Sequence, residues 1–189
     1  MIQALELQLI SCSNIMQKVV FLDRDGVINV EKDYLYKIDD FEFIDGVFDT
    51  LLKLQSLGYQ LVIVTNQSGI GRGYYTQKDF DILTSWMKDE FSKKGINIDA
   101  VYCCPHTPLE KCNCRKPNTG MIEQYAKIVD IDYKNSWMVG DKSSDIELAI
   151  NANISNTVQV KTGHNFDESL SKAKYVVNSI DDIKQIINL

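Results

Sequence analysis

The sequence predicts an α/β fold, a three-layer sandwich with a mostly parallel central sheet and helices on both faces. Three observations carry that reading. Short apolar runs alternate with helical stripes along the chain, and strand–helix alternation is the pattern of parallel βαβ units. Three of the runs, residues 18–22 (KVVFL), 60–65 (QLVIVT) and 136–140 (SWMVG), are nearly continuously apolar, as strands covered on both faces must be. The 189 residues are 44% hydrophobic and 24% charged, which suits a soluble globular chain about one domain long.

Each element has its own justification. Further strands are expected at residues 100–103, 157–160 and 175–177. A helix is expected over residues 47–57, where Val47, Phe48, Leu51, Leu52 and Leu54 form an apolar face and Gly58 is placed to end it. The longest helix is expected over residues 76–94. Thr76 with Asp79 three residues on makes a capping pair, and Phe80, Leu83, Met87 and Phe91 make one stripe. Shorter helices are expected at residues 121–129, 145–151 and 180–187. Gly69, Gly71 and Gly73 lack the spacing of a nucleotide-binding loop. They read as a flexible connection, with Tyr74 and Tyr75 packing at an exposed edge or, as the alternative, lining a sugar site.

Residues 1–15 read as a poorly ordered extension, and residues 16–189 as a single domain. The opening stretch has no basic residue before Lys18, and Glu6 interrupts it, so it does not read as a secretory signal. No apolar run approaches the ~20 residues of a membrane span. Twenty Lys and Arg against 26 Asp and Glu give a net charge of −6. Such a surface suits neither nucleic acid nor acidic membranes as partners, so any phosphate must be drawn in by a local site.

In a parallel sheet, ligands bind beyond the carboxyl ends of the strands. Those ends here carry Asp23-Arg24-Asp25-Gly26, Thr65-Asn66-Gln67-Ser68-Gly69, Arg115-Lys116-Pro117 and Gly140-Asp141-Lys142-Ser143-Ser144-Asp145. A lone Asp-x-Asp is commonly a solvated turn; four polar segments delivered to one edge point to a site. The residue types suit phosphoryl transfer. Asp23 can act as nucleophile. Asp23, Asp141 and a backbone carbonyl suit Mg²⁺. Lys116 and the Thr65 hydroxyl can meet phosphoryl oxygens, and Asp25 can serve as general acid and base.

All three prolines and four of the five cysteines fall within residues 103–117, which marks an irregular loop. Cys104-x-His106 and Cys112-x-Cys114, five residues apart, offer four ligands to a structural Zn²⁺; a disulfide is the alternative. Cys103 reads as a buried strand-end thiol, Cys12 has no assigned role, and His164 reads as a solvated loop residue.

The motifs Phe21–Asn29 (FLDRDGVIN), Thr65–Ile70 (TNQSGI), Arg115-Lys116-Pro117 and Gly140-Asp141-Lys142 resemble, in order, those of the haloacid-dehalogenase-like phosphatases. Within that family their wording is similar to that of the heptose-bisphosphate phosphatases. The spacer between the zinc hooks is nearer to that of the histidinol-phosphate phosphatases. The resemblance implies a Rossmann-like sandwich and a cytoplasmic, monomeric enzyme acting on a small phosphorylated sugar in lipopolysaccharide precursor synthesis. It implies Asp23 as nucleophile and Mg²⁺ ligand, Asp25 as acid/base with its carbonyl on the metal, and Asp141 as third metal position. Glu31, Lys32, Asp33 and Tyr34 match a substrate loop, and Thr65, Asn66, Gln67 and Ser68 a phosphate loop. Arg115 and Lys116 match a recognition and charge-stabilising pair, with Lys142 beside the substrate. Asp145 either orients this edge or is a helix-start acid. Only ~40 residues separate Asp23 from Thr65, too few for a large cap domain. An inactive zinc-stabilised binding module is the alternative from another class; intact Asp23, Asp25, Lys116 and Asp141 oppose it.

Overall fold

The computed structural model describes residues 16–187; the expected extension at residues 1–15 lies outside them. Six strands, β1 (Val19–Leu22), β2 (Gln60–Asn66), β3 (Ala100–Cys104), β4 (Trp137–Gly140), β5 (Asn156–Val160) and β6 (Tyr175–Val177), form one sheet in the order β3-β2-β1-β4-β5-β6. Every neighbouring pair is parallel. The helices are α1 (Val47–Ser56), α2 (Ser68–Gly71), α3 (Gln77–Lys93), α4 (Gly120–Ala126), α5 (Ser143–Asn151) and α6 (Ile183–Ile186).

The apolar continuity of β1 has the expected cause. Val20 and Leu22 face a core built with Leu51 and Leu54 of α1, Met87 and Phe91 of α3, and Ile183 of α6. Val19 and Phe21 face a second core with Met121, Ile122 and Tyr125 of α4 and Leu148 and Ala149 of α5. Side chains alternate across a strand, so only a two-sided strand buries all four. Each such fully buried large side chain contributes roughly 1.5–3 kcal/mol. The long helix starts as its sequence dictates. The Asp79 N–H donates to Thr76 Oγ1 at 3.2 Å, and Asp79 Oδ2 accepts from the Thr76 N–H at 2.8 Å.

This topology positions the site. The chain leaves β1 for β2 and β3 on one side, then returns to β4, β5 and β6 on the other. The carboxyl ends of β2, β1 and β4 therefore lie side by side at the switch point where such folds bind ligands. No large cap interrupts the described residues between β1 and β2, where the segments are a short 3₁₀ turn (Ile38–Asp40) and α1.

Several expectations need correction. Gly69–Gly73 is not a simple flexible loop: Ser68–Gly71 forms the single turn α2, because Arg72 N–H and Gly73 N–H donate back to Ser68 and Ile70 carbonyls. Helix α5 starts two residues earlier than expected, since Asp145 acts from inside its first turn. Helix α4 ends three residues earlier, at Ala126. Strand β3 runs on to Cys104. Cys103 is half-exposed rather than buried, since β3 is an edge strand with only β2 beside it.

Candidate active site

Three strand ends and the cysteine loop build an inner pocket. Asp23 follows β1 and is tied to β4 by its N–H, which donates to the Val139 carbonyl at 2.9 Å. Lys116 reaches in from the cysteine loop, its Nζ 2.8 Å from Asp23 Oδ1, 2.6 Å from Asp145 Oδ1 and 3.0 Å from the Val64 carbonyl. The end of β2 clamps its backbone: Asn66 Oδ1 accepts from Lys116 N–H at 3.0 Å, and Asn66 Nδ2 donates to the Lys116 carbonyl at 3.3 Å. Asp145 also accepts from the Lys142 N–H, through Oδ2 at 3.0 Å. It is therefore both a helix-start acid and a partner of the buried lysine. Gly140 makes that possible, because a Cβ there would overlap the Asp145 side chain.

Charge is unbalanced in this pocket. Asp23, Asp141 and Asp145 bring carboxylate oxygens within 4.8 Å of one another and face one buried lysine. Burial pushes the Asp23 carboxyl above the ordinary carboxylate range; Lys116 opposes that shift and Asp145 adds to it. Burial also works against the charge of Lys116, but Asp145 and Asp23 outweigh it and hold the ammonium well above its usual range. Asp141 is fully buried. Its Oδ2 accepts the His164 N–H at 2.8 Å and lies 2.8 Å from His164 Nδ1, while Oδ1 has no hydrogen-bond partner. An anionic oxygen left bare in the interior is costly. An oxygen-rich set of this kind fits a hard divalent cation such as Mg²⁺.

Asp25, two residues from Asp23, lives in the opposite environment. Arg24 donates to it from Nε at 3.2 Å and from Nη2 at 2.9 Å to each oxygen; Asn29 Nδ2 and Gln67 Nε2 each donate at 3.0 Å. Burial alone would raise its carboxyl. The Arg24 charge and these hydrogen bonds reverse that and hold it below the ordinary range. Alone, these surroundings favour a proton on Asp23 and oppose one on Asp25, the reverse of what a nucleophile and a general acid need; a divalent cation on Asp23 and a phosphate beside Asp25 would each reverse the local shift.

Outside the inner pocket lies a second, more open cleft of about 180 Å³, bordered by Asp25, Glu31, Asp33, Tyr34, Lys142 and His164 among others. Burial, then the nearby Asp25 charge, pushes Glu31 up to about 7. Tyr34 holds a left-handed backbone (φ 54°) and packs edge-on against Tyr74 at 4.7 Å between ring centres.

In the loop that delivers Arg115 and Lys116 to the inner pocket, the four zinc candidates converge. Cys104 Sγ is 3.6 Å from Cys112 Sγ and 3.5 Å from His106 Nδ1; Cys114 Sγ is 3.6 Å from Cys112 Sγ and 3.2 Å from His106 Nδ1. These spacings are close to the ~3.7 Å edges of a tetrahedron with ligands ~2.3 Å from a centre. A disulfide needs sulfurs ~2.05 Å apart, and all four described cysteines are free. The donor set and its geometry fit Zn²⁺.

A family model described as HAD-hydrolase-like matches residues 113–183. A D-glycero-β-D-manno-heptose-1,7-bisphosphate 7-phosphatase of Pasteurella multocida is 45% identical, over 91% of this chain and 97% of its own. The chain belongs to the haloacid-dehalogenase-like phosphatases, on the heptose-bisphosphate branch. A Photorhabdus laumondii phosphatase named for the α anomer is equally similar, 46% identical over 90% of this chain and 96% of its own. Among solved structures, the D,D-heptose 1,7-bisphosphate phosphatase of B. bronchiseptica, complexed with magnesium and phosphate, superposes with a TM-score of 0.78 at 27% identity. That match covers 91% of this chain and 98% of that one.

The phosphatase brings most residues singled out from its sequence to these two cavities. Asp23, Asp25, Thr65, Asn66, Ser68, Arg115, Lys116 and Lys142 border the inner one, of about 230 Å³. Glu31, Lys32, Asp33, Tyr34, Gln67 and Lys142 border the outer one. Two side chains are engaged elsewhere. The Lys32 ammonium donates to the Asp40 carbonyl at 2.6 Å and lies 3.6 Å from Glu42. The Gln67 amide is buried, donating to Asp25 and Thr65 Oγ1 while accepting from the Tyr75 hydroxyl. Tyr75 is thus buried beside the site, not packed at an exposed edge. His164 is exposed, as expected, yet its N–H and Nδ1 also reach Asp141. Sequence reasoning alone gives Arg24 no role, although its place between two site aspartates is a usable signal. For His164 the only signal is its position past the end of β5, at the same sheet edge.

Among the described residues no helix is long and apolar enough to cross a membrane.

Proposed function

We propose that the phosphatase removes the 7-phosphate of D-glycero-D-manno-heptose 1,7-bisphosphate through an aspartyl-phosphate on Asp23. The observation that carries this reading is the pairing of Asp23 with the buried Lys116 next to the bare oxygen of Asp141. Asp23 Oδ1 receives both Lys116 Nζ and the Arg24 N–H, the latter at 2.7 Å, which leaves Oδ2 for attack on phosphorus. As that oxygen–phosphorus bond forms, the bond to the sugar oxygen breaks, and Asp25 passes a proton to the departing oxygen; Asp25 takes up that proton as the anionic phosphate enters beside it, against the pull of Arg24. Asp25 then takes a proton from water, the water oxygen bonds to phosphorus, and the bond to Asp23 breaks to release phosphate. Lys116 meets the charge that grows on the phosphoryl oxygens. A Mg²⁺ held by Asp23, Asp141 and the Asp25 carbonyl would supply further positive charge against those oxygens. Zn²⁺ on Cys104, His106, Cys112 and Cys114 would have no open position, and so a structural role.

The outer cleft would seat the sugar, with Glu31, Asp33 and Tyr34 around it and Lys142 facing it. Arg115 borders the inner cavity, and its Nη1 donates to the His106 carbonyl at 3.2 Å. A guanidinium anchored in this way suits a second phosphate. The phosphatase is read as a monomer of the cytoplasm, and four free cysteines suit that reducing compartment.

The test compares heptose 1,7-bisphosphate with histidinol phosphate as substrates. Release of one phosphate per heptose, with much higher kcat/KM than for histidinol phosphate, is expected; the reverse order would overturn the substrate assignment. Arg115→Ala should raise KM for the bisphosphate ~10-fold or more and change a monophosphate little, as loss of a distal-phosphate contact does. Equal loss on both substrates would remove Arg115 from that role.

A further inference from the structure

We propose that Arg24 is a positioning residue for the general acid/base Asp25, braced from behind by Gln67 and Tyr75. The inference rests on the acid/base reading of Asp25 and says what holds that group in place.

Arg24 stands between the two site aspartates and is 1% exposed. Burying a guanidinium is unfavourable unless it is paired and hydrogen-bonded. A strand end followed by a tight turn does not need one. Its ion-pair partner among the described residues is Asp25. Nε and Nη2 grip that carboxylate in a fork, and Nη2 also donates to the Leu35 carbonyl at 3.0 Å and to Gln67 Oε1 at 3.4 Å. The Phe80 ring lies 5.9 Å from the guanidinium carbon. A planar fork fixes the plane of a carboxylate, which the point charge of a lysine does not.

The brace is continuous. The Gln67 amide nitrogen donates to Asp25 Oδ2, and its oxygen accepts from the Tyr75 hydroxyl. The Tyr75 ring is seated against the backbone of α2, where a Cβ on Gly69 would overlap its Cε1. Tyr36 stacks on Tyr75 with ring centres 5.2 Å apart. Asp25 is thus held by donors from three sides, each donor itself held. The two half-reactions need this one carboxyl aimed first at the leaving oxygen and then at a water, and small misplacement of such a group is expensive in rate.

A residue that acts only through Asp25 has a kinetic signature that a merely structural one lacks. With aryl phosphates as substrates, Arg24→Met should lower kcat by ~10²-fold, the scale of a catalytic group misplaced by ~1 Å, with KM little changed. In an Asp25→Asn background the same substitution should cost less than ~2-fold, because coupled residues are non-additive. Across phenols of rising pKa, Arg24→Met should steepen the dependence of rate on the leaving group, as Asp25→Asn does. Tyr75→Phe removes one hydroxyl and keeps the packing; it should cost ~3–10-fold in kcat and likewise lose its effect beside Asp25→Asn. Equal losses in both backgrounds, or Tyr75→Phe leaving kcat intact, would overturn the proposal. If Asp25→Asn alone leaves kcat near normal on poor leaving groups, the acid/base reading itself falls and the proposal with it. That outcome is separate from a failed coupling between Arg24 and an essential Asp25.

Discussion

The inner pocket and the outer cleft meet at Asp25 and are built by opposite means. In the inner pocket, Asp23, Lys116, Asp141 and Asp145 are each no more than 4% exposed. Each is tied to a strand end or a helix start by short, directed contacts. In the outer cleft, Asp33 and Tyr34 are exposed, Lys32 and Glu31 half-exposed, and several contacts are long, such as the 4.0 Å between Lys142 Nζ and Glu31 Oε2. Burial strengthens every charge interaction inside and removes the freedom to rearrange. The inner pocket therefore suits the one group common to all phosphate esters, and the outer cleft suits the variable remainder of the substrate.

That contrast can be broken or sharpened by substitution. The largest effect is expected at Asp23. Asp23→Asn should lower kcat at least ~10⁴-fold, as loss of a nucleophile does, while thermal unfolding stays cooperative. Near-normal turnover would end the aspartyl-phosphate mechanism. Lys116→Ala should follow, with ~10²–10³-fold loss in kcat. It should also lower Tm, because removing one member of a buried charge cluster costs about 3–5 kcal/mol. A large kcat loss with unchanged Tm would mean that the buried cluster does not depend on the lysine.

The third test reaches the inner pocket from outside. Lys116 lies two residues from Cys114, so the zinc cluster holds the segment that delivers it. Cys112→Ser should reduce bound zinc, read by elemental analysis of dialysed protein, and lower kcat ~10-fold through misplaced Lys116, the scale of a disturbed metal shell. Zinc lost with kcat intact would separate the two. The smallest effect is expected in the outer cleft. Tyr34→Ala should raise KM for the sugar substrate ~3–10-fold with kcat nearly constant, as loss of a uniform binding contact does. A kcat loss there larger than that of Cys112→Ser would erase the division between the two regions.

Much of this architecture is legible in the sequence, and the reasons are local. The strands are readable because two-sided burial demands unbroken apolar runs. Helix α3 is readable because Thr76 and Asp79 satisfy each other within four residues. The zinc quartet is readable because each hook spans three residues. Tyr75 and His164 are less legible, because their deciding contacts form only once the chain has turned back on itself. Its surroundings in the chain suggest an edge for Tyr75, but its hydroxyl finds Gln67, eight residues back. A polar loop suggests solvent for His164, and it is exposed, but its N–H also meets Asp141 from 23 residues away.

The sequence by itself determined the layer order of the sandwich, the chemical types at its functional edge and the family. These follow from hydrophobic period, turn residues and ordered motifs, which are properties of short stretches. Only the tertiary structure decided how the four aspartates differ. Asp23 and Asp25 are two residues apart and identical as side chains, yet burial raises one while Arg24, Asn29 and Gln67 lower the other. Asp145 is committed to Lys116 and the first turn of α5, and Asp141 keeps one oxygen bare. Ionisation and free lone pairs depend on burial and on which groups are aimed at each carboxyl, and even a chain neighbour such as Arg24 counts only once the fold turns it there.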